Sequence, residues 1–364
     1  MLLEDGMIFA RISQRLLRII RSLAFNAYYH SRLEWTNLAN RYGRSPITCP
    51  GAPVVSLTTF GSRVQSVHLA IESIGRGQVL PSRVILWLDD ASLVNNLPIG
   101  IRRLKKRGLE ISLCKDYGPY KKFYPYVESM SEFKDPLVTA DDDVLYPSDW
   151  LKKLVEASQQ FPDVINCHRA RVIGVSQDGI AKYEGWEMVD STMPSYCYFA
   201  TGVGGVIYPL LFQQELKKQG TAFLNCCPRG DDIWLHVQAL RAGYKVRQVS
   251  KKSFRLLEIP GTQETALLQS NVDGGGNDGQ IANTYRASDI DRLRDNDRAE
   301  PLVPSDQGVK TSYLINVPES RHQSWPAKCQ DTISDACADQ VRNKRYMLTK
   351  TAADAAQETP RSPR

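Results

Sequence analysis

Between Val54 and Val155 short apolar runs alternate with segments of helical period, and this alternation restricts the possible folds more than any other feature of the chain. Val54 to Thr59 is β-branched and apolar, a strand, and the stretch from Arg63 to Ile74 carries Val64, Val67, Ala70, Ile71 and Ile74 at helical spacing. A second strand, Arg83 to Leu88, ends in Asp89-Asp90, and a basic helix from about Ile99 to Arg107 stops at Gly108. Leu109 to Cys114 is a third strand and Pro136 to Ala140 a fourth, after which Ser148 is placed to open a helix through Leu151, Leu154 and Val155. These are βαβ units. They predict an α/β fold, a mostly parallel, Rossmann-like sheet flanked by helices in a single main domain. Ligands of such sheets bind beyond the carboxyl ends of the strands, so Thr58, Thr59, Asp89 and the run Asp141-Asp142-Asp143 should face one crevice.

Three adjacent carboxylates at a buried strand end repel one another, and burial raises their pKa values unless a cation is present. In an extended segment Asp141 and Asp143 face the same way and Asp142 the other. Mg2+ or Mn2+ takes one or two protein carboxylates and completes its shell with phosphate oxygens and water, which points to a nucleotide diphosphate as the remaining ligand. The alternative is that the triplet caps the next helix, but Ser148 is better placed for that. Asp231-Asp232 is a second acidic pair, at the start of a helix running to about Ala242, where the positive end of the helix dipole favours ionised carboxylates. Asp231 fits a helix N-cap equally well.

Lys121 and Lys122 follow Gly118-Pro119 in a loop, where their ammonium groups suit donor phosphates. Thr58, Thr59 and Arg63 end the first strand and open its helix, the position at which hydroxyls and backbone donors meet a nucleotide. Asp89 either accepts from a base ring nitrogen or caps a turn with Asp90. Thr201-Gly202-Val203-Gly204-Gly205 lacks the helix that a dinucleotide loop requires, because Val206-Ile207-Tyr208 reads as strand; its glycines suit close approach of backbone to a sugar. His168 and His236 have no partner at metal-ligand spacing, and Trp186, Trp234 and Tyr196 fit the core better than a sugar platform.

Val54 to Phe60, Arg83 to Asp89, Gly118-Pro119-Tyr120-Lys121-Lys122, Thr139 to Asp143 and Gly230-Asp231-Asp232 together resemble bacterial glycosyltransferases of the GT-A fold, family-two-like, over roughly residues 52 to 285. The resemblance implies that Asp143 holds the metal and that Asp141 reaches ribose or metal-bound water. It further implies that Asp142 belongs to the same donor site and that Asp232, beside Asp231, is the base of an inverting transfer. A UDP- or GDP-sugar donor and a polysaccharide or lipid-linked acceptor follow from the same likeness. Gly274 to Asp278 resembles the end of the catalytic region. Two other enzymes use similar patterns. A DxD phosphohydrolase carries its motif at the first strand, whereas two or three strand units precede this one, and a sugar nucleotidyltransferase has a glycine-rich basic loop that Thr58 to Arg63 lacks. A sugar-binding module without activity leaves two acidic clusters unexplained.

The remaining sequence bears on location. The formal charge of +6 is too small to argue for nucleic acid. Eight cysteines show no zinc spacing, which suits a reduced cytoplasmic setting. No run of about eighteen apolar residues suggests a membrane span, and no compact apolar core suggests export. Ile8, Phe9, Ile12, Leu16, Ile19, Ile20 and Leu23 recur at helical spacing opposite Arg11, Arg15 and Arg18, a basic amphipathic helix. That helix either packs on the domain or, through residues 8–25, contacts the inner face of the cell membrane. The expected division is therefore helix and linker over 1–50, the transferase domain over 51–286 with a nucleotide half (51–150) and an acceptor half (151–286), and a polar, partly disordered tail over 287–364.

Overall fold

A computed structural model describes residues 2–253, 256–262 and 276–298. Seven strands form the central sheet: β1 (Val54–Thr58), β2 (Arg83–Leu88), β3 (Leu109–Leu113), β4 (Leu137–Thr139), β5 (Ile165–Cys167), β6 (Val206–Tyr208) and β7 (Val246–Gln248). Their order is β7-β5-β6-β4-β1-β2-β3. Every pairing is parallel except those of β6, which runs antiparallel to both β4 and β5. The fold is thus α/β with a mostly parallel sheet, as the alternation predicts.

Successive residues of β1 serve opposite faces, as a pleated strand requires. Val55 and Leu57 join a core with α2 (Val67–Ile74), α3 (Ile99–Lys105) and α4 (Trp150–Gln160). Val54 joins the other core, with Phe212 of α5 (Leu210–Gln219) and Trp234 and Leu240 of α6 (Asp231–Ala242). Each such side chain taken out of water contributes roughly 1.5–3 kcal/mol, so burial on both faces fixes the register of the sheet and hence which residues sit at its edge.

The structure adds one detail to these local readings and differs from three of them. Phe199 to Tyr208 is two strands, Tyr198–Ala200 and β6, broken by a turn in which Gly204 and Gly205 have φ of 97° and 93°. A Cβ at Gly205 would lie 2.7 Å from Cζ2 of Trp150, so the indole replaces the side chain there. Ser148 does not cap α4; Asp149 holds that position without a side-chain cap bond, and Ser148 instead accepts from the Gln78 N–H through its carbonyl at 2.7 Å. The stretch after Tyr42 is stitched to the body, with Ile47 fully buried, its N–H donating to the Arg107 carbonyl at 2.9 Å and Arg107 Nε donating to the Ser45 carbonyl at 2.7 Å. Finally, α8 (Ala287–Arg298) follows α7 (Gly276–Thr284) and packs on α6 through Leu293 and the Arg241–Asp289 pair at 2.7 Å. The folded body therefore continues past the boundary expected at residue 286.

The N-terminal helix α1 (Leu2–Tyr42) is longer than its apolar pattern suggests. Its last turns bury Thr36, Ala39 and Asn40, and Asn40 Nδ2 donates to the Gly100 carbonyl at 3.1 Å. Leu17, Ile19, Ile20 and Leu23 stay exposed, Leu23 at 63%. Among the described residues no helix is long and apolar enough to cross a membrane.

Candidate active site at the carboxyl edge of the sheet

Because β1 to β4 are parallel, the residues after Thr58, Leu88, Leu113 and Thr139 emerge on one side. The antiparallel β6 enters from that same side, since Val206 pairs with Thr139, and β5 leaves there, since Cys167 pairs with Val206. Topology alone thus gathers the acidic triplet, the Thr201–Gly205 turn and the chain following Cys167.

Residues 141–143 form a bend instead of an extended strand, so the simple alternation expected of their side chains does not hold. Asp141 accepts from Lys122 Nζ, and its own N–H donates to the Tyr146 hydroxyl at 2.6 Å. Asp142 accepts from Thr59 Oγ1 at 2.6 Å and from Arg63 Nη1 at 3.0 Å, while Asp143 lies 3.3 Å from that same nitrogen. Arg63 is anchored in turn by Nε donating to the Thr262 carbonyl at 2.9 Å. Burial raises the pKa of Asp142 despite the Thr59 bond and Arg63. Burial and then the charges of Asp141 and Asp142 push Asp143 up to about 6.

The second acidic pair opens α6, but Gly230 is the N-cap and Asp231 and Asp232 are the first two helical residues. Asp232 Oδ2 accepts from the Gly202 N–H at 2.9 Å. A Cβ on Gly202 would come within 3.1 Å of Asp232 Oδ1 and 3.6 Å of Lys122 Nζ, a close approach that explains why glycine stands there. Burial, then the neighbouring Asp231, push Asp232 up to about 7, against the opposing pull of Lys122. Asp231 is likewise raised by burial. Burial alone would lower Lys122, yet Asp141, Asp231 and Asp232 outweigh it and hold this lysine firmly protonated. Lys122 therefore lies between the two acidic clusters, and among the described residues Lys122 and Arg63 pair with members of this group of five carboxylates.

The two lysines of the Gly118 loop part company. Lys121 turns to Asp89 and to Asp116, 2.9 Å away, at the ends of β2 and β3, and only Lys122 reaches the triplet. Thr58 donates its hydroxyl to the Trp87 carbonyl at 3.0 Å, inside the sheet, so of the two threonines it is Thr59 that meets the acids.

Comparison with known proteins begins from sequence and gives nothing: no family model matches, and no curated protein matches. Solved structures do match in part. The mannosyltransferase PcManGT from Pyrobaculum calidifontis, in complex with GDP-Man and Mn2+, aligns over 76% of this chain and 79% of its own at 12% identity and TM-score 0.42. GalNAc-T7 with UDP, GalNAc and Mn2+ aligns over 55% of this chain at 13% identity and TM-score 0.37, and this chain spans 42% of that one. The inositol-1-phosphate CTP transferase of T. maritima aligns over 65% of this chain and 98% of its own at 12% identity and TM-score 0.36. These likenesses are too distant to bear on activity.

The donor set at the triplet is chemically suited to a hard divalent cation. It consists of oxygen ligands alone, and burial followed by the charges of Asp141 and Asp142 disfavours the ionised Asp143 that such an ion would stabilise. Among the described residues no group of three or more His, Cys, Asp or Glu side chains is arranged as a chelate by itself. His168 and His236 are structural. Each is pushed to about 4 by burial, with His168 Nε2 3.0 Å from the Trp150 carbonyl, and His236 held between the Tyr196 carbonyl at 3.0 Å and the Tyr285 hydroxyl at 2.7 Å. Trp186 and Trp234 are core.

Of three supporting residues, Tyr146 and Gln280 have no sequence signal, and Tyr120 stands in the Gly118 motif with no role assigned to it there. Tyr146 reaches back to the triplet, Tyr120 donates to the Cys227 carbonyl and stacks on Phe223 with 3.8 Å between ring centroids, and Gln280 of α7 accepts from the Arg229 N–H at 2.8 Å. The last two hold the loop that leads into Asp231. Of the glycine run Gly274 to Asp278, only residues 276–278 are described, as the first turn of α7; Gly274 and Gly275 lie outside the described residues.

Proposed function

We propose that the crevice binds a nucleotide-sugar and that the chain is a metal-dependent glycosyltransferase of GT-A type, transferring a hexose with inversion to a glycan or lipid-linked acceptor. One observation supports this reading: Lys122 feels Asp141 as well as Asp231 and Asp232, so the proposed donor-binding acids and the proposed base lie around one ammonium group. Asp143 and Asp141 would hold Mn2+ or Mg2+, which when bound neutralises the diphosphate and assists its departure. Asp142, locked by Thr59 and Arg63, fixes the bend that presents them. Lys122 is placed to stabilise the charge growing on the departing diphosphate. Lys121 and Asp89, paired at the β2 end, belong to the nucleoside side, with Thr58 supporting them through the β1–β2 contact at Trp87.

Asp232 would take the proton of the acceptor hydroxyl as that oxygen attacks the anomeric carbon. Its raised pKa suits a base working near neutral pH, and the Gly202 N–H aims the carboxylate. Asp231 keeps the local field negative. The deciding experiment is manganese-dependent hydrolysis of UDP- and GDP-sugars by the wild type and by Asp143→Ala. A loss of about a hundredfold or more is expected if the carboxylate holds the ion; equal turnover would remove the metal assignment.

The same reading places the protein at the inner face of the cell membrane. Exposed Leu17, Ile19, Ile20 and Leu23 lie among exposed Arg15 and Arg21, and no acidic residue occurs between Asp5 and Glu34. Apolar burial and attraction to anionic headgroups act together on such a helix.

A further inference from the structure

Two residues beyond β5, at the edge where the acidic clusters meet, stands Arg169. Its carbonyl accepts from the Thr201 N–H at 3.1 Å and from the Thr201 hydroxyl at 3.4 Å, which places its backbone beside Gly202 and so beside Asp232. The chain then continues as Ala170–Val172, antiparallel to Tyr198–Ala200. Arg171 is already engaged: Nη1 donates to the Trp186 carbonyl at 2.8 Å, and its guanidinium sits 5.1 Å from the centroid of the Tyr183 ring. Arg169 differs from it. Half-buried, its guanidinium makes no hydrogen bond or ion pair with any described residue. Burial, then Arg171, disfavour its charge, and Tyr183 and Asp232 only partly offset them.

A half-buried guanidinium whose nitrogens still meet solvent and have no partner among the described residues keeps its donors available to a ligand. Its planar fork of donors matches the oxygens of a phosphate or carboxylate. Among the described residues the neighbouring cations are paired, Lys122 with Asp141 and Arg63 with Asp142 and Asp143. We propose that Arg169 binds an oxyanion on the acceptor, a phosphate or a carboxylate close to the hydroxyl that is delivered to Asp232. This rests on the reading of Asp232 as the base of a transferase and deepens it by making the acceptor anionic. A neutral glycan would leave the guanidinium unpaired.

The probes are methyl phosphate and acetate, titrated calorimetrically into the full chain in EDTA, so that no cation bridges them to Asp141 or Asp143. The proteins are wild type, Arg169→Gln, Arg169→Lys and, as a control, Arg102→Gln on the exposed side of α3. Wild type and the control should bind one probe measurably, and whichever binds more tightly identifies the anion. Arg169→Gln should lose about tenfold or more in affinity, the scale of one charge-assisted pair. Should Arg169→Gln fail to fold by circular dichroism, Arg169→Lys decides, because losing the fork must still weaken binding. Equal affinity in wild type and the Arg169 variants, or no binding of either probe by wild type, overturns the proposal. Manganese-dependent binding of UDP or GDP, measured on the same proteins in manganese buffer without EDTA, reports separately on the donor reading. If that binding is present while the anion probes ignore Arg169, only the acceptor inference falls; if it is absent, the transferase reading falls with it.

Discussion

Asp232 stands under two opposed influences, burial and the charge of Asp231 driving its pKa up, the Lys122 ammonium and the Gly202 N–H drawing it down, and the first pair prevails at about 7. A base must be unprotonated to work, so transfer should rise with pH through the region near neutrality, and kcat/KM measured from about pH 5 to pH 8 should show an acid limb there. A flat profile would remove Asp232 from the role. Asp232→Asn cannot take the proton and should lower transfer by about 10²–10⁴-fold while leaving nucleotide binding in place. The same shift has a stability consequence of definite sign. The folded-state pKa is higher than the ordinary value of 3.8, so between about 4 and 7 the folded chain holds a proton that the unfolded chain has released. Stability from this group therefore falls as pH rises through that window. Asn, which never ionises, should raise the melting temperature, and by more at pH 8 than at pH 4. Thermal melts of the two proteins at both pH values would show whether that ordering holds.

At the level of elements, the pieces that position the site differ in how plainly the sequence announces them. Helix α6 matches its apolar period and its glycine ends, because a buried helix needs both. β1 and β2 are equally plain, being β-branched runs buried on both faces. The turn Thr201–Gly205 is not plain: its shape is imposed by Trp150, more than fifty residues away, whose Nε1 donates to the Gly204 carbonyl at 2.5 Å. Gly205→Ala should consequently cost about 1–3 kcal/mol or more, through a left-handed φ of 93° and a clash with the indole, and urea unfolding should reveal it. Wild-type stability in that variant would mean the turn yields more easily than its geometry implies. Of the site itself, the triplet was legible as charge at a strand end, Asp231 and Asp232 as charge at a helix start and Lys122 as a basic loop residue, whereas the partners of Asp89, Lys121 and Thr58 were not, since side-chain pairing depends on strand order and not on local pattern. α1 was legible as an amphipathic helix and ambiguous in its use. Its last turns pack on the body and its middle does not, so Ile20→Ser with Leu23→Ser should weaken binding to anionic vesicles about tenfold or more, from roughly 1–2 kcal/mol of apolar burial each. Unchanged sedimentation with those vesicles would assign the exposed face to something else.

Across the whole molecule the charge is unevenly placed: a chain of formal charge +6 brings five carboxylates, Asp141 to Asp143 with Asp231 and Asp232, to one edge of its sheet. For the proposed donor, general attraction for anions would not explain how a diphosphate enters, and a divalent cation would carry it against the local field. Binding of nucleotide and cation should then be strongly cooperative, each poor alone. The carboxyl edge also ties together segments from Thr59 to Asp232, so a ligand seated there stabilises the entire fold by mass action. At about a hundred times its Kd that gain is about 2.7 kcal/mol, or roughly 5–10 °C in Tm for a domain of this size. Differential scanning fluorimetry with UDP and GDP, each with and without Mn2+, should show a rise only when one matching nucleotide and the metal are present together. EDTA and Asp143→Ala should each cancel it. A rise with nucleotide alone, undiminished by EDTA, would place the binding energy in Lys122 and its neighbours and leave the acidic triplet without a cation to hold.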